Sequence, residues 1–386
     1  MGYVLTDDRY YPEIAEAIRD KNGLSRTYRP SEMANAINSL EVSGNSANVG
    51  DIIATKAVPF EARFCSASFI ASNAFYGLPI TMADFPNCLT IGSSAFYRCP
   101  MLSVAEFATC TKIERNAFYQ CVSLSSFDAP LCEDVGSHAF YSCTSLSSVG
   151  IPSATVINTY AFAGCTTIEQ VMAPHCEHVG SNAFLSCSNI STISMDGVRT
   201  IGSQAFYGCI SLESVDIASC SEIGSYAFAQ CQSLSMLSLP DVNVIGSHAF
   251  EGCSALGAIS LPACSTIGAD AFSGCTSLSN AYIPACSVIA VRAFSSCTSL
   301  RTVTLANCSA IMSSAFNRCV TLVTVDMTLV ASVPVLQSVD VFSSTPIAGY
   351  SDVTGTAGRL LVPTALYSNF ASAENWSVFS SRMVSV

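Results

Sequence analysis

Charge is scarce in this chain: 11% of its 386 residues are Asp, Glu, Lys or Arg, and 16 basic residues stand against 28 acidic ones. The formal charge of −12 at pH 7, with no basic cluster, repels phosphate backbones, so nucleic acid is not an expected partner. No run of 18 apolar residues occurs, so neither a spanning helix nor a membrane partner is predicted. The start, MGYVLTDDRYYPE, has no apolar stretch and carries Asp7 and Asp8, which argues against a secretory signal peptide. GxSxG, Walker, GxGxxG and HExxH patterns are all missing, so no enzyme and no cofactor are expected. No Cys-x-x-Cys pair occurs, which disfavours zinc. Of the four histidines, His175 and His178 flank Cys176 and Glu177, but further ligands are not evident, and a solvated loop outweighs a metal site.

Cysteine, by contrast, is abundant, with 20 residues. From Cys88 to Cys319 every gap between neighbouring cysteines is 11 or 22 residues. A disulfide framework has irregular spacing, whereas a strict period assigns each cysteine one slot in a repeating structure. Ala-Phe marks the same period. Phe75, Phe96, Phe118, Phe140, Phe162, Phe184, Phe206, Phe228, Phe250, Phe272, Phe294 and Phe316 each follow an alanine, first at a step of 21 residues and then ten times at 22.

The aligned units approach SLxxVxLPxCxxIGSxAFxxC. An opening Leu or Ile, as at Leu212 and Leu234, is followed three and five places later by Val215 and Ile217, or Leu237 and Leu239. Alternation with polar residues predicts a short half-buried strand. Proline then ends it, as at Pro86, Pro130 and Pro240, because it lacks an amide hydrogen. A cysteine, a β-branched anchor such as Ile91, Ile113 or Ile201, often Gly-Ser, and Ala-Phe complete the unit. The glycine is expected to supply a positive φ at a bend, and the phenylalanine to enter the core. One unit cannot bury its apolar face alone. Stacking at the strand spacing of ~4.8 Å makes a continuous core. Val215, Leu237 and Ile259 should then stand in register on one ladder. Thiols in such ladders act as small buried hydrophobes, so all twenty are expected reduced.

This motif resembles the leucine-rich repeats of the BspA-like family, seen in bacterial surface proteins, and the likeness covers residues 60 to about 330. VFSSTPIAG (341–349) and LLVPTALYSNFASAENWSVFSSRM (360–383) look like that family's terminal cap. The predicted fold is an α/β right-handed leucine-rich-repeat solenoid with a 22-residue period and about 12 repeats. Short parallel strands are expected on one side and turns or short helical pieces opposite. The start differs. Residues 10–40 read as two amphipathic helices, with Ile14, Ile18, Met33 and Ile37 at i, i+4 spacing and Ser31 as N-cap. Ile14 to Lys21 and Ser31 to Ile37 resemble a short module of phage and prophage tail-associated proteins. The expected organisation is a helical attachment module (1–40), a linker (41–57), the solenoid (58–330) and a cap (331–386).

Solenoids usually bind on the concave face. The outward strand positions there include Met82, Asp84, Glu106, Asp128, Gln170, Met172, Asp216, Met236, Tyr282, Arg301 and Asp326. Their carboxylates stand one per strand, as on a solvated face, not as an acid/base pair. An alternative is the stripe Tyr76, Tyr97, Tyr119 and Tyr141, each directly after the repeat phenylalanine. The resemblances imply a phage or prophage tail protein that recognises a host cell-surface protein or glycan. It would be held to other tail or baseplate proteins through residues 1–40, assembled in the host cytoplasm and located on the virion, with a homotrimer as the expected assembly. The alternative is a BspA-like adhesin on the bacterial cell surface.

Overall fold

The computed structural model describes residues 60–63, 67–348 and 357–386. The expected helical module and linker, residues 1–40 and 41–57, lie outside the described residues, as does Cys65. The chain winds as a parallel-strand solenoid of about 14 turns with a 22-residue period. It divides into two compact units, which end at Cys176 and begin at Glu177.

In the first unit each turn contributes two short strands. Phe60–Arg63, Ile80–Asp84, Val104–Glu106, Ser126–Asp128 and Ser148–Gly150 form one parallel sheet, with Ala83, Ala105, Phe127 and Val149 in register. Two-residue strands form a second ladder, in which the β-branched anchors Ile70, Ile91, Ile113, Val135 and Ile157 stack on one another. Alternation works as the pattern requires: the middle residue of Val104–Glu106 is buried while Glu106 is exposed.

The second unit repeats the plan. Its anchor ladder runs unbroken from Ile201 through Ile223, Ile245, Ile267 and Ile289 to Ile311 and Leu336. The outer ladder departs from expectation. Val215 pairs with Leu237 as predicted, but Ala258–Ser260 begins a different sheet, so Ile259 does not continue that ladder. Leu237 is only half-buried where Val215 and Ile259 are buried, and its strand, Met236–Ser238, ends the pairing. The anchor strands carry the stack across this turn.

The opposite side is a succession of turns with its own ladder. In one turn Ser94, Phe96 and Arg98 donate amide hydrogens to the next turn's Arg115, Ala117 and Tyr119 carbonyls at 3.0, 2.7 and 2.7 Å. The intervening Ala95, Tyr97 and Cys99 donate back to Gly92, Ser94 and Phe96 at 3.1, 3.1 and 3.3 Å. Alternate amides therefore point along the solenoid and into the turn. Left-handed residues two places before and two after each phenylalanine produce this: φ is 56° at Ser94 and 54° at Arg98. The expectation for glycine is corrected here. Gly136 and Gly246 precede these positions and have no positive φ. A Cβ on Gly136 would stand 2.5 Å from the Ile113 carbonyl oxygen, and one on Gly246 2.5 Å from the Ser225 nitrogen. Glycine serves here to let successive turns approach, not to bend.

The core is a column of rings. Phe75, Phe96, Phe118, Phe140 and Phe162 stack in the first unit at 5.0, 5.0, 5.1 and 4.9 Å. In the second, Phe184 to Phe316 stack in the same way, and Phe342 adds one further ring at 5.6 Å. The C-terminal segment closes that end. Trp376 is fully buried and donates from Nε1 to the Pro334 carbonyl at 2.7 Å, while Asn375 donates to the Leu336 carbonyl at 2.8 Å. Among the described residues, helix is confined to this cap region, as Tyr367–Ser372 and short 3-10 turns such as Val339–Phe342.

The left-handed slot after each phenylalanine yields a stability test. Ser186 occupies it with φ 59°, where Gly208, Gly252 and Gly274 stand in other turns. A non-glycine residue there costs about 1 kcal/mol, partly offset by the lower entropy of its unfolded chain. Ser186→Gly should raise stability by a few tenths of a kcal/mol, and Gly208→Ala should lower it by about 1 kcal/mol. Urea midpoints measure both, and a drop for Ser186→Gly contradicts the strain assignment.

Candidate binding faces

Outward positions of the outer strands present side chains at the first and third residue of each. In the first unit Asp84, Glu106 and Asp128 face one another in register on adjacent strands. Glu106 and Asp128 are exposed. Asp84 and Met82 are half-buried under Arg63, whose Nη1 lies 3.7 Å from the Asp84 carboxylate and whose Nη2 lies 3.1 Å from the Met82 sulfur. Gly150 continues the row without a side chain, and the Asp128 carboxylate leans into that space: a Cβ there would lie 2.2 Å from Oδ1. Gln170 and Met172 are exposed, but their strand, Gln170–Met172, does not belong to the sheet of Asp128.

In the second unit the candidates fall into two patches. Asp216 and Met236 lie on adjacent strands, and Met236 is 67% exposed with Ser214 as its register partner. Tyr282, 46% exposed, lies on the other sheet in register with Thr304, which in turn pairs with Asp326. Arg301, directly before Thr302–Thr304, is exposed. Asp326 is half-buried and accepts from the Thr328 amide at 3.0 Å and hydroxyl at 2.8 Å. The fold therefore gathers Tyr282, Arg301 and Asp326, but no backbone pairing joins them to Asp216 and Met236.

The tyrosine stripe is a ring ladder. Tyr76, Tyr97, Tyr119 and Tyr141 stack at 4.8, 4.8 and 4.9 Å, nearly parallel, and the Arg98 guanidinium lies 5.3 Å from the Tyr97 ring centre. Each inner ring spends both faces on its neighbours. Burial, then the neighbouring phenols of Tyr97 and Tyr141, push the Tyr119 hydroxyl above its ordinary pKa.

A polar ladder went unread in the sequence, although its members share one slot of the period, two residues before the phenylalanine. In successive turns of the second unit this slot holds Tyr226, His248, Asp270 and Arg292. Tyr226 stacks on His248 at 4.3 Å, and His248 Nδ1 lies 2.9 Å from Glu251. Arg292 grips the buried Asp270 carboxylate with Nε and Nη2, both at 2.9 Å, which raises its own pKa. In the first unit the slot's His138 stacks on Tyr160 at 4.9 Å, and burial, then the Arg115 charge, holds it below the usual imidazole value. His175 and His178 are exposed, and His178 Nδ1 lies 2.8 Å from the Thr200 hydroxyl. Among the described residues no three His, Cys, Asp or Glu side chains come together as metal ligands.

Nineteen described cysteines are buried thiols outside any disulfide. They form two sets with different partners. Cys99 and Cys121 donate to the Phe75 and Phe96 carbonyls of earlier turns, both at 2.9 Å. Cys88 and Cys220 instead donate two residues onward, to Thr90 and Glu222 at 3.2 and 3.3 Å. Burial pushes the Cys209 thiol up to about 12 and Cys220 up to about 11. Such thiols are neutral and inert at neutral pH.

The pattern of the BspA type leucine rich repeat region matches residues 65–133, 111–235 and 221–338, in six copies. The chain belongs to the BspA-type leucine-rich repeat family. A leucine-rich repeat protein from Bacteroides ovatus is similar in fold, at 21% identity and a TM-score of 0.50, over 78% of this chain and 88% of that one. A leucine rich cell surface protein from Faecalibacterium prausnitzii is 19% identical with a TM-score of 0.36, over 81% of this chain and 86% of that one. No curated protein matches.

Two outcomes follow from the thiols. A thiol reagent should leave the native protein almost unmodified and titrate about twenty groups once it is denatured. Because burial raises the pKa of thiols such as Cys209 and Cys220, the folded chain holds protons that the unfolded chain releases above its thiol pKa near 9. Stability is thus fully present below pH 9 and lost as pH rises from there through 11 to 12, the values reached by Cys220 and Cys209. A melting temperature unchanged between pH 8 and pH 11 contradicts this.

Proposed function

We propose that this protein is a non-catalytic binding scaffold of the bacterial cell surface, a BspA-like adhesin whose outward strand faces contact a host protein or glycan. The observation that carries the reading is the exposure of Met236 and Tyr282 in the second unit, at 67% and 46%. Their register partners are Ser214 for Met236 and Ser260 and Thr304 for Tyr282, so packing does not require a large side chain at either place. Large side chains on a rigid sheet are the usual anchors of an interface, and the backbone ladders supply that rigidity. Membership of the BspA-type family supports the surface assignment, given the bacterial surface proteins in which its repeats occur. In the first unit the corresponding face offers Glu106, Asp128, Gln170 and Met172.

A second reading rests on Ile14 to Lys21 and Ser31 to Ile37, the stretch that resembles phage tail-associated modules. On it the repeats recognise the host from a virion, residues 1–40 engage other tail proteins, and the assembly is a trimer. Antibody labelling separates the two: label on intact bacteria supports the adhesin, and label on purified phage particles the tail protein.

The face is tested by combining Met236→Ser, Tyr282→Ser and Arg301→Ser. Stability should change by no more than about 0.5 kcal/mol per site, as for surface substitutions generally. Binding of the purified protein to host cells should fall at least about tenfold, since two anchors above 1 kcal/mol exceed that factor. Undiminished binding by a stably folded variant removes this face as the contact surface.

A further inference from the structure

The tyrosine ladder of the first unit has an arrangement that neither packing nor a binding face uses up. Four phenols stand in consecutive turns at 4.8, 4.8 and 4.9 Å, with interplanar angles of 8°, 3° and 6°. Their positions are set by the backbone on both sides. Around Tyr76, Phe75 and Gly77 donate to the Ala95 and Tyr97 carbonyls at 2.7 and 2.8 Å. Around Tyr97, Phe96 and Arg98 donate to Ala117 and Tyr119, both at 2.7 Å. The rings cover one another's faces, which leaves little for a sugar to stack upon. What stays open to solvent is the edge: Tyr76 is 37% exposed, and Tyr97, Tyr119 and Tyr141 are half-buried. A phenol edge carries the hydroxyl and the two ortho carbons, the atoms at which a phenoxyl radical reacts.

We propose that this ladder is a site of oxidative cross-linking, where a peroxide-driven one-electron oxidant joins tyrosines of adjacent turns and staples the first unit covalently. Each of two neighbouring phenols gives up one electron and its hydroxyl proton. The two radicals pair to form a carbon–carbon bond between ortho positions. Each ring then returns its ortho proton to its own oxygen, so that both phenols are restored. Overall two protons and two electrons leave the protein, and one hydrogen peroxide takes them up to become two waters. The stacking supplies proximity, because a radical formed on any inner ring has a phenol already in contact on either side. The described thiols compete poorly, since they are buried. Tyr207, Tyr226 and Tyr282 have no tyrosine ring against them among the described residues, and Tyr160 meets Tyr141 only at 6.3 Å and 60°.

The experiment treats the full chain with a haem peroxidase and limiting hydrogen peroxide. Dityrosine fluorescence is then read on the gel-filtered monomer, and the joined peptides are mapped by mass spectrometry. The expected result is cross-links within one chain, between Tyr76 and Tyr97, Tyr97 and Tyr119, or Tyr119 and Tyr141. The variant combining Tyr97→Phe and Tyr141→Phe keeps the stacked rings but leaves no two phenols adjacent in the ladder. Its monomer fluorescence should drop to background, and the wild-type chain unfolded in urea should lose the pairing pattern. The proposal is overturned if wild type forms no intrachain dityrosine, if the links map to other tyrosines, or if the double variant cross-links as well as wild type.

Discussion

Each turn of this molecule lies against the next at the distance set by parallel-strand hydrogen bonding, and every slot of the repeat must tolerate an identical neighbour at that distance. Phenylalanine satisfies this by stacking: ring centres 4.9 to 5.1 Å apart in the first unit track the backbone spacing and need no rearrangement from turn to turn. The β-branched anchors do so by lying in register, Ile91 beside Ile113 beside Val135. A group that repels its own copy fits badly in such a column. Within the second unit one slot accordingly carries His248, Asp270 and Arg292 in sequence, so that each meets a complement and not a copy.

Cysteine suits the same constraint for two reasons. It is small and apolar enough to be buried in successive turns from Cys88 to Cys319, and its thiol still donates to a backbone carbonyl, as Cys121 does to Phe96. A serine there would bring a strongly solvated hydroxyl into the core, and an alanine would leave the carbonyl with one donor fewer. The abundance of cysteine thus reflects packing. The reading of the thiols as buried ladder residues survives because it rested on spacing, which a disulfide network does not produce.

The backbone pays for regularity at the turns. Two left-handed residues per repeat are strained for anything but glycine, yet Ser94 and Arg98 adopt that conformation. They do so because it aims alternate amides at the next turn, and an unpaired amide inside the stack costs more than the strain. Glycine has two uses: Gly208, Gly252 and Gly274 take the left-handed slot after the phenylalanine, and Gly136 and Gly246 stand where the preceding turn comes within 2.5 Å of a would-be Cβ.

The period, the buried slots, one ladder of short strands and the solvent-facing strand positions follow from sequence, because in a stacked repeat each residue's main neighbour is its own equivalent one period away. The second ladder, formed by two-residue strands of the β-branched anchors, carries no alternation by which to read it as strand. Composition at a slot then specifies its environment, and Phe, Ile and Cys could be placed in the core without coordinates. Tertiary structure alone decided how close successive turns come, and so why glycine precedes the Ala-Phe turn. It also decided that Arg63 clamps Met82 and Asp84, that Asp326 turns back to Thr328, and that Leu237 ends one outer ladder before Ile259. It placed the tyrosines face to face, which converts a row of candidate contacts into a stack that offers only its edges. These facts depend on side-chain conformation and on sub-ångström spacing between turns, and a one-dimensional pattern records neither.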